Sequence, residues 1–437
     1  MNIVILGFGA QGKSSLKYWQ KLGASVTVAD INPKLELTYG VTGKLGPDYL
    51  SNLDQYDRIV RAPIIHPHQI VEANPDSPNI LEKVTSNTNE FFHTSKTKNI
   101  IGVTGTKGKG TTSTLITKML EASGKKAHLI GNIGTPPLDV SEQIQPDDWV
   151  VMELANFQLI DLKYSPHIAV CVMVEPEHLD WHEDTEEYIS AKQQLFINQK
   201  ETDIAIYYHD NELSEEVASA SIGRLVSYYS PDGAYVKDDK EVWIENQKIC
   251  GVEEIKLVGK HNWQNICAAI TAIWQIDQNI KAIRQVVTTI TSLHYRLEFV
   301  REVGGVKFIN DSFSSAPGAC NAAINAISGP KIIIIGGKDR MLDLKELCQE
   351  VIKNSSSISK ILLIGESKDR IAKEFKSVGF DNFMIIKETT MTEIVHQAKN
   401  LAKPGDCVVL SPGFPSFDMF KNFEDRGDKF VSEVNAL

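Results

Sequence analysis

Residues 102–114 read Gly-Val-Thr-Gly-Thr-Lys-Gly-Lys-Gly-Thr-Thr-Ser-Thr, and this stretch constrains the fold more than any other. The apolar run Asn99–Val103 reads as a strand, glycines 105, 108 and 110 follow, and Thr111–Ala122 carries apolar residues at helical spacing. A strand, a glycine-rich turn and a helix N-terminus make a phosphate cradle, because turn N–H groups and the helix dipole face the anion. Lys109 adds a point charge, and Thr111 or Thr112 a hydroxyl for Mg²⁺. The spacing departs from the strict P-loop, since Gly102 precedes Gly108 by six residues instead of five. A plain strand-to-helix turn is the alternative, but lysine and hydroxyls fall where a cradle needs them.

A chain of 437 residues is long enough for about three domains, each with its own core. Hydrophobic content of 42% and charged content of 23% are those of a globular protein, and a net charge of −11 argues against nucleic acid as a partner. The six cysteines are scattered without a Cys-x-x-Cys pair, which suits reduced, buried thiols in a cytoplasmic protein. Met1–Gly7 is apolar but short and lacks a basic lead, so it reads as a first strand and not a signal peptide. No apolar stretch approaches the ~20 residues that span a bilayer, so no membrane partner is expected.

The predicted organisation is α/β throughout. Residues 1–92 open with a strand, the turn Gly7-Phe8-Gly9-Ala10-Gln11-Gly12, a helix from Lys13 to Leu22 and the strand Ser25–Asp30. This is a Rossmann-like βαβ unit with an acidic residue ending its second strand. Lys96–Asn99 is polar and reads as a linker. In residues 93–292, strands are expected at Trp149–Leu154, Ile168–Val174 and Asp203–Tyr208, and helices at Glu186–Asn198 and Trp263–Ile276, which predicts a mostly parallel sheet. Residues 293–437 repeat the alternation, with strands at Val306–Asn310, Lys331–Ile335, Lys360–Ile364, Phe383–Ile386 and Cys407–Leu410, and helices at Leu342–Lys353 and Met391–Leu401.

Several groups could carry chemistry. Gly9, Ala10, Gln11 and Asp30 could hold either NAD or another nucleotide diphosphate, and the second phosphate cradle downstream favours the broader reading. Glu153 ends a strand beside the cradle, where a carboxylate is either a Mg²⁺ ligand or a surface group. The run Glu175-Pro-Glu177-His178-Leu-Asp180-Trp-His182 is rich in donors, but ligands at alternate positions do not converge from a helix, which disfavours zinc. His178 is the better Mg²⁺ or phosphate ligand, and His182 reads as a solvated loop histidine. By composition alone Lys192 reads as a solvated helix lysine. Asn310-Asp311-Ser312, Gly336-Gly337-Lys338-Asp339-Arg340 and Ser411-Pro412-Gly413 each follow a strand and should share one crevice, whose cations would suit a carboxylate substrate.

Taken in order, these pieces resemble the Mur ligases, ATP-dependent amide ligases of peptidoglycan precursor synthesis. Gly105-Thr-Lys-Gly-Lys109-Gly-Thr111-Thr looks like their ATP loop, and Gly131-Asn132-Ile-Gly134 like their Gly-Asn-Ile-Gly element. Glu153-Leu-Ala-Asn-Phe157-Gln158-Leu and Glu177-His178-Leu-Asp180 also match, and Ala191-Lys192 sits where the family carries a carbamylated lysine. Gly259-Lys-His261-Asn262-Trp-Gln-Asn265, His294-Tyr-Arg296-Leu-Glu298 and Ser411–Arg426 complete the series. Two departures stand out: Phe313 replaces the lysine of Asn-Asp-Ser-Lys, and Arg340 the lysine of Gly-Gly-x-Asp-Lys-Gly. Arginine grips a carboxylate bidentately, so anion binding survives the second change with altered geometry.

The resemblance implies three α/β domains: Rossmann-like, P-loop-type ATPase and Rossmann-like. It implies ATP on Gly105, Thr106, Lys107, Gly108, Lys109, Gly110, Thr111, Thr112, Asn262, Asn265, Arg296 and Asp311. It implies Mg²⁺ on Thr111, Glu153, His178 and a carbamylated Lys192, with Lys109, Glu153, His178 and Lys192 catalytic. UDP-N-acetylmuramoyl-L-alanine and D-glutamate would be held by Gly9, Ala10, Gln11, Asp30, Asn132, Phe157, Gln158, Ser315, Arg340, Ser416, Phe417 and Phe423. A monomer is expected. A relative adding another amino acid, or a folylpolyglutamate synthase-like ligase, is the alternative, although the latter branch lacks a unit like residues 1–92. An NAD-dependent oxidoreductase leaves residues 105–112 without a task. A non-catalytic nucleotide-binding module leaves the group of Lys109, Glu153, His178 and Lys192 unexplained.

Overall fold

The computed structural model describes all residues of the chain except 134, 258, 292, 293, 388 and 389. Gly134 and the boundary expected at 292–293 therefore lie outside the described residues. The chain forms two compact units, Met1–Glu254 with Asn262–Thr288, and Ile255–His261 with Thr289–Leu437.

The first unit contains two parallel sheets. One has five strands in the order Thr42–Leu45, Ser25–Asp30, Asn2–Leu6, Arg58–Arg61, Val84–Ser86. Its apolar residues alternate between the faces. Val4 and Leu6 enter one core with Ile59 and Ile70, while Ile3 and Ile5 enter another with Leu16 and Trp19. The helix after the first strand is Ala10–Lys21, beginning three residues earlier than expected, because the glycine turn closes directly into helical hydrogen bonding from Lys13 N–H to Gly9 C=O. Gly12 is required there: a Cβ would lie 2.1 Å from the Gly7 carbonyl oxygen.

The second sheet has six strands, all parallel, in the order Arg224–Tyr228, Ile204–Tyr208, Ile168–Cys171, Ile100–Thr104, Trp149–Glu153, Ala127–Gly131. The strand that feeds the glycine loop lies at its centre, flanked by the strands ending at Glu153 and Cys171. Three chain segments thus leave the same edge together. The strand from Ile168 stops at Cys171 instead of Val174, as the chain peels away to receive the glycine loop, whose Thr106 N–H donates to the Met173 carbonyl at 2.7 Å. A three-stranded antiparallel sheet, Ala234–Lys237, Glu241–Ile244 and Gln247–Gly251, interrupts the expected alternation. Lys96–Asn99 is not a loose linker. Thr97 is fully buried and donates to the Asp148 carbonyl at 2.8 Å.

The second unit carries a six-stranded sheet in the order Glu298–Val303, Val306–Asn310, Cys407–Leu410, Lys331–Gly336, Ile358–Ile364, Phe383–Ile385. Its first pair is antiparallel, a hairpin absent from the sequence reading, and the rest are parallel. Ile332 and Ile334 enter the core on one face, Ile333 and Ile335 the core on the other, as a doubly covered parallel strand demands. The helix before Lys353 starts at Lys345, not Leu342. No described helix is long and apolar enough to cross a membrane.

Candidate functional site

The glycine loop is built by its neighbours. Gly108 caps the helix Lys109–Ala122 with φ of 93°, and a Cβ there would sit 2.2 Å from Asn265 Oδ1. Asn265 in turn donates to Asn262 Oδ1 at 3.0 Å, so two residues far along the chain buttress the turn. The Thr106 hydroxyl lies 2.6 Å from the Tyr188 hydroxyl, donates to the Glu175 carbonyl at 2.8 Å and accepts the Glu175 N–H. Lys107 pairs with Glu175. The loop is thereby fixed with its N–H groups at a helix N-terminus, the geometry that binds phosphate.

Two lysines converge on this loop. Lys109 donates to the Gly105 and Thr106 carbonyls, each at 2.9 Å, and Lys192 donates to the same Gly105 oxygen at 3.1 Å. The solvated position expected for Lys192 is wrong: it is fully buried, on the inner face of Thr185–Gln193, with its nitrogen over the Tyr188 ring. Burial first, and the Lys109 charge second, push its amine down to about 7. Two ammonium groups sharing one carbonyl repel each other, which favours the neutral amine at Lys192.

Glu153 is buried as well. Its Oε1 accepts from Asn132 Nδ2 at 2.7 Å, while Oε2 is buried with no hydrogen-bond partner among the described residues. A carboxylate oxygen left unmatched next to a phosphate cradle fits a hard cation. His178 has φ of 59°, a backbone region that costs a residue with a side chain roughly 1–3 kcal/mol and clusters at functional sites. Its ring packs on Phe157 at 4.8 Å. Burial first, with Lys109 and Lys192 adding to it, lowers its pKa against the pull of Glu177 and Asp180, which favours the neutral imidazole that ligates metals. Gln158 holds the local turn by accepting the Ala155 N–H at 3.0 Å.

Gly9, Ala10, Gln11 and Asp30 line a cavity of about 340 Å³ together with Ala62, Pro63 and Ile64. Asp30 accepts the Phe8 N–H at 2.9 Å and the Asn32 N–H at 2.9 Å, so its carboxylate braces the glycine turn. Sequence reasoning missed Arg61. Its guanidinium is fully buried, grips Asp161 through two hydrogen bonds of 2.6 and 2.8 Å, and donates to the carbonyls of Pro63, Ile65 and Phe157. The available signal was an arginine closing the apolar run Ile59-Val60. The solvated-loop reading of His182 is also wrong, since its side chain is fully buried.

In the second unit the strands ending at Asn310, Leu410 and Gly336 are neighbours, so the three expected segments do share one sheet edge. Asp311 accepts from Ser411 Oγ at 2.7 Å and from the Leu297 N–H at 3.1 Å, and burial pushes its carboxyl up to about 7. The Arg296 guanidinium lies 3.8 Å over the Phe313 ring, which packs edge-on against Phe423. Phe313 thus supplies a platform where the resembling family has a cation. Arg426, fully buried and uncommitted by sequence reasoning, ties Ser312 to the Phe414 carbonyl. Asp339 is held by Arg370 through two 2.7 Å bonds. Arg340, Ser315 and Phe417 are exposed, and Ser416 is buried.

A central glycine cradle, a buried carboxylate with an unmatched oxygen and a buried lysine at one parallel-sheet edge define a phosphate-handling α/β protein. Residues 103–273 match the Mur ligase middle domain, and residues 295–414 the Mur ligase glutamate ligase domain. The chain is 36% identical to a UDP-N-acetylmuramoylalanine–D-glutamate ligase of Clostridium kluyveri, covering 100% of this chain and 96% of that one. It is 34% identical to the protein of that name from Clostridium perfringens, covering 100% and 97%. Its fold is that of the UDP-N-acetylmuramate-alanine ligase of Thermotoga maritima (TM-score 0.61, 15% identity, 100% and 99% covered). It is equally that of the MurF ligase of Thermotoga maritima, solved in complex with ADP (TM-score 0.61, 16% identity, 99% and 95% covered). The chain belongs to the Mur ligase family.

Proposed function

We propose that this chain joins D-glutamate to UDP-N-acetylmuramoyl-L-alanine in peptidoglycan precursor synthesis, with ATP converted to ADP and phosphate. The observation that carries the reading is the convergence of the glycine loop, Lys109, Lys192 and the half-matched Glu153 at one sheet edge. Its work divides over residues 1–92 for the nucleotide sugar, 93–292 for ATP and 293–437 for the amino acid, in a cytoplasmic monomer. The cavity behind Gly9, Ala10 and Gln11 takes the UDP diphosphate at a helix N-terminus.

Glu153, Thr111, His178 and a carbamylated Lys192 would hold Mg²⁺, which when bound neutralises phosphate oxygens. Lys109 and the loop amides stabilise charge on the transferring phosphoryl group. A carboxylate oxygen of the L-alanyl end attacks the γ-phosphorus and ADP departs, leaving an acyl phosphate. The amine of D-glutamate, having lost a proton, attacks the acyl carbon, and phosphate leaves as the amide forms. Asn132 orients Glu153, Phe157 packs behind His178, and Asn262 and Asn265 keep the loop in register. Arg296, Asp311, Ser315, Arg340, Ser416, Phe417 and Phe423 bind ATP and glutamate from residues 293–437.

Phosphate release with ATP, Mg²⁺, UDP-N-acetylmuramoyl-L-alanine and each amino acid in turn tests this. Turnover is expected with D-glutamate. Turnover only with another amino acid would move the specificity, and no sugar-dependent turnover with any would overturn the reading. The Gly108→Ala variant is expected to raise the KM for ATP by about tenfold or more, since left-handed backbone and the clash with Asn265 each distort the loop. Its affinity for the nucleotide sugar, read by calorimetry, should not move.

A further inference from the structure

The wall of the glycine-turn cavity and the segment presenting His178 meet around one carboxylate. Glu187 accepts from His182 Nδ1 at 3.0 Å, from His66 Nε2 at 3.2 Å and from the Glu183 N–H at 3.0 Å. Beside it, the Trp181 indole N–H donates to the carbonyl of Ile64, a cavity residue, at 2.8 Å. The Trp181 ring packs on His66 at 4.4 Å and on Phe157 at 4.8 Å, and Phe157 packs on His178. The backbone N–H groups of Trp181 and His182 both donate to the His178 carbonyl at 3.0 Å. The left-handed backbone of His178 is therefore held by residues that also touch the cavity wall.

Two imidazoles and a carboxylate within 4.8 Å of one another are also a metal-binding set. The hydrogen bonds assign them otherwise. His66 Nδ1 accepts the His68 N–H, capping the helix Pro67–Glu72, which leaves the proton on Nε2 for Glu187. His182 Nε2 faces the Asn156 amide at 2.7 Å, which leaves its Nδ1 proton for Glu187. Both rings are used at both nitrogens, and the carboxylate already accepts from three donors.

We propose that His66, Trp181, His182 and Glu187 form a bridge coupling the cavity wall to His178, so that nucleotide sugar and Mg²⁺–ATP bind cooperatively; this rests on the assignment of those two sites above. Glu187 and Trp181 are positioning residues, since neither reaches the cradle. A ligand that fixes Pro63-Ile64 fixes Trp181 through the indole bond, and with it the turn that aims His178. By reciprocity, occupancy of the cradle must tighten the cavity by the same factor.

The test is a calorimetric cycle. The affinity of wild type for UDP-N-acetylmuramoyl-L-alanine is measured with and without Mg²⁺ and a non-hydrolysable ATP analogue, with glutamate absent. A tightening of about fivefold or more is expected, the lower range of such couplings. In Trp181→Phe, which keeps the ring and loses the N–H, the factor should fall to about twofold or less. Glu187→Ala should do the same, while Glu187→Gln, which keeps one acceptor oxygen, should retain part of it. Sugar affinity without the analogue should stay near wild type in all three, an outcome that a merely structural role would not produce. An undiminished factor in both Trp181→Phe and Glu187→Ala overturns the bridge. Sugar binding without any factor in wild type overturns the bridge and spares the site assignments. Failure of wild type to bind the sugar overturns those assignments. Stoichiometric Zn²⁺ binding that His66→Ala abolishes overturns the bridge in favour of a metal centre.

Discussion

The Lys109→Ala enzyme is expected to lose ligation by about 10³-fold or more while binding UDP-N-acetylmuramoyl-L-alanine as wild type does. Lys109 opens the helix Lys109–Ala122, and its amine lies against the Gly105 and Thr106 carbonyls, at the mouth of the cradle. Charge that develops on a transferring phosphoryl group is met there by a fixed cation and fixed amides. Alanine removes the cation and leaves the amides. The glycine-turn cavity is formed by residues 7–12, Asp30 and residues 62–64, around the five-stranded sheet, whereas the cradle follows the central strand of the six-stranded sheet. Steady-state phosphate release and calorimetry with the nucleotide sugar separate the two effects. Wild-type turnover in Lys109→Ala would remove the ATP site from this loop.

The second large effect is expected at Lys192. If Lys192 is carbamylated, Lys192→Ala should reduce turnover by on the order of 10²-fold or more, with partial rescue by a short-chain carboxylic acid in place of the carbamate. A carbamate forms from a neutral amine and CO₂ and releases a proton. The buried amine, pushed down to about 7, is about half neutral at pH 7 and in that form available for the reaction. One unit below that value about a tenth of it is neutral, so acidification would disfavour a carbamate there. Wild-type activity at pH 6 should accordingly depend on added bicarbonate, and at pH 8 much less. The carbamate would reverse the charge of a group that otherwise shares the Gly105 oxygen with Lys109, turning repulsion into attraction. A Lys192→Ala enzyme with wild-type turnover at low bicarbonate would show that the residue only fills space.

The cradle was legible because its signal is local. Glycine at 105 and 108, the apolar strand before it and the helix after it are consecutive in the chain, and such spacing dictates strand, turn and helix directly. The same holds for the Gly7–Gly12 turn and for Lys331–Gly336, whose unbroken apolar run specifies a strand covered on both faces. The hairpin Glu298–Asn310 and the antiparallel sheet Ala234–Gly251 were not legible, because short strands with mixed polarity carry little periodicity and are fixed by pairing with one another.

The chain's own order thus determined the α/β class, the sheet edges and which residue types stand at the ends of the strands. Only the tertiary structure decided what surrounds those residues. Lys192 and His182 look like solvated groups in their own helix and loop, yet both are buried. Arg61 and Asp161 are 100 residues apart and His66 and Glu187 are 121 apart, and no local pattern announces either pair. Spacing along a chain encodes backbone conformation, since that depends on neighbours three or four residues away. The charge state and role of a side chain depend on its distance to groups elsewhere and on exclusion of water, and those arise when the elements pack.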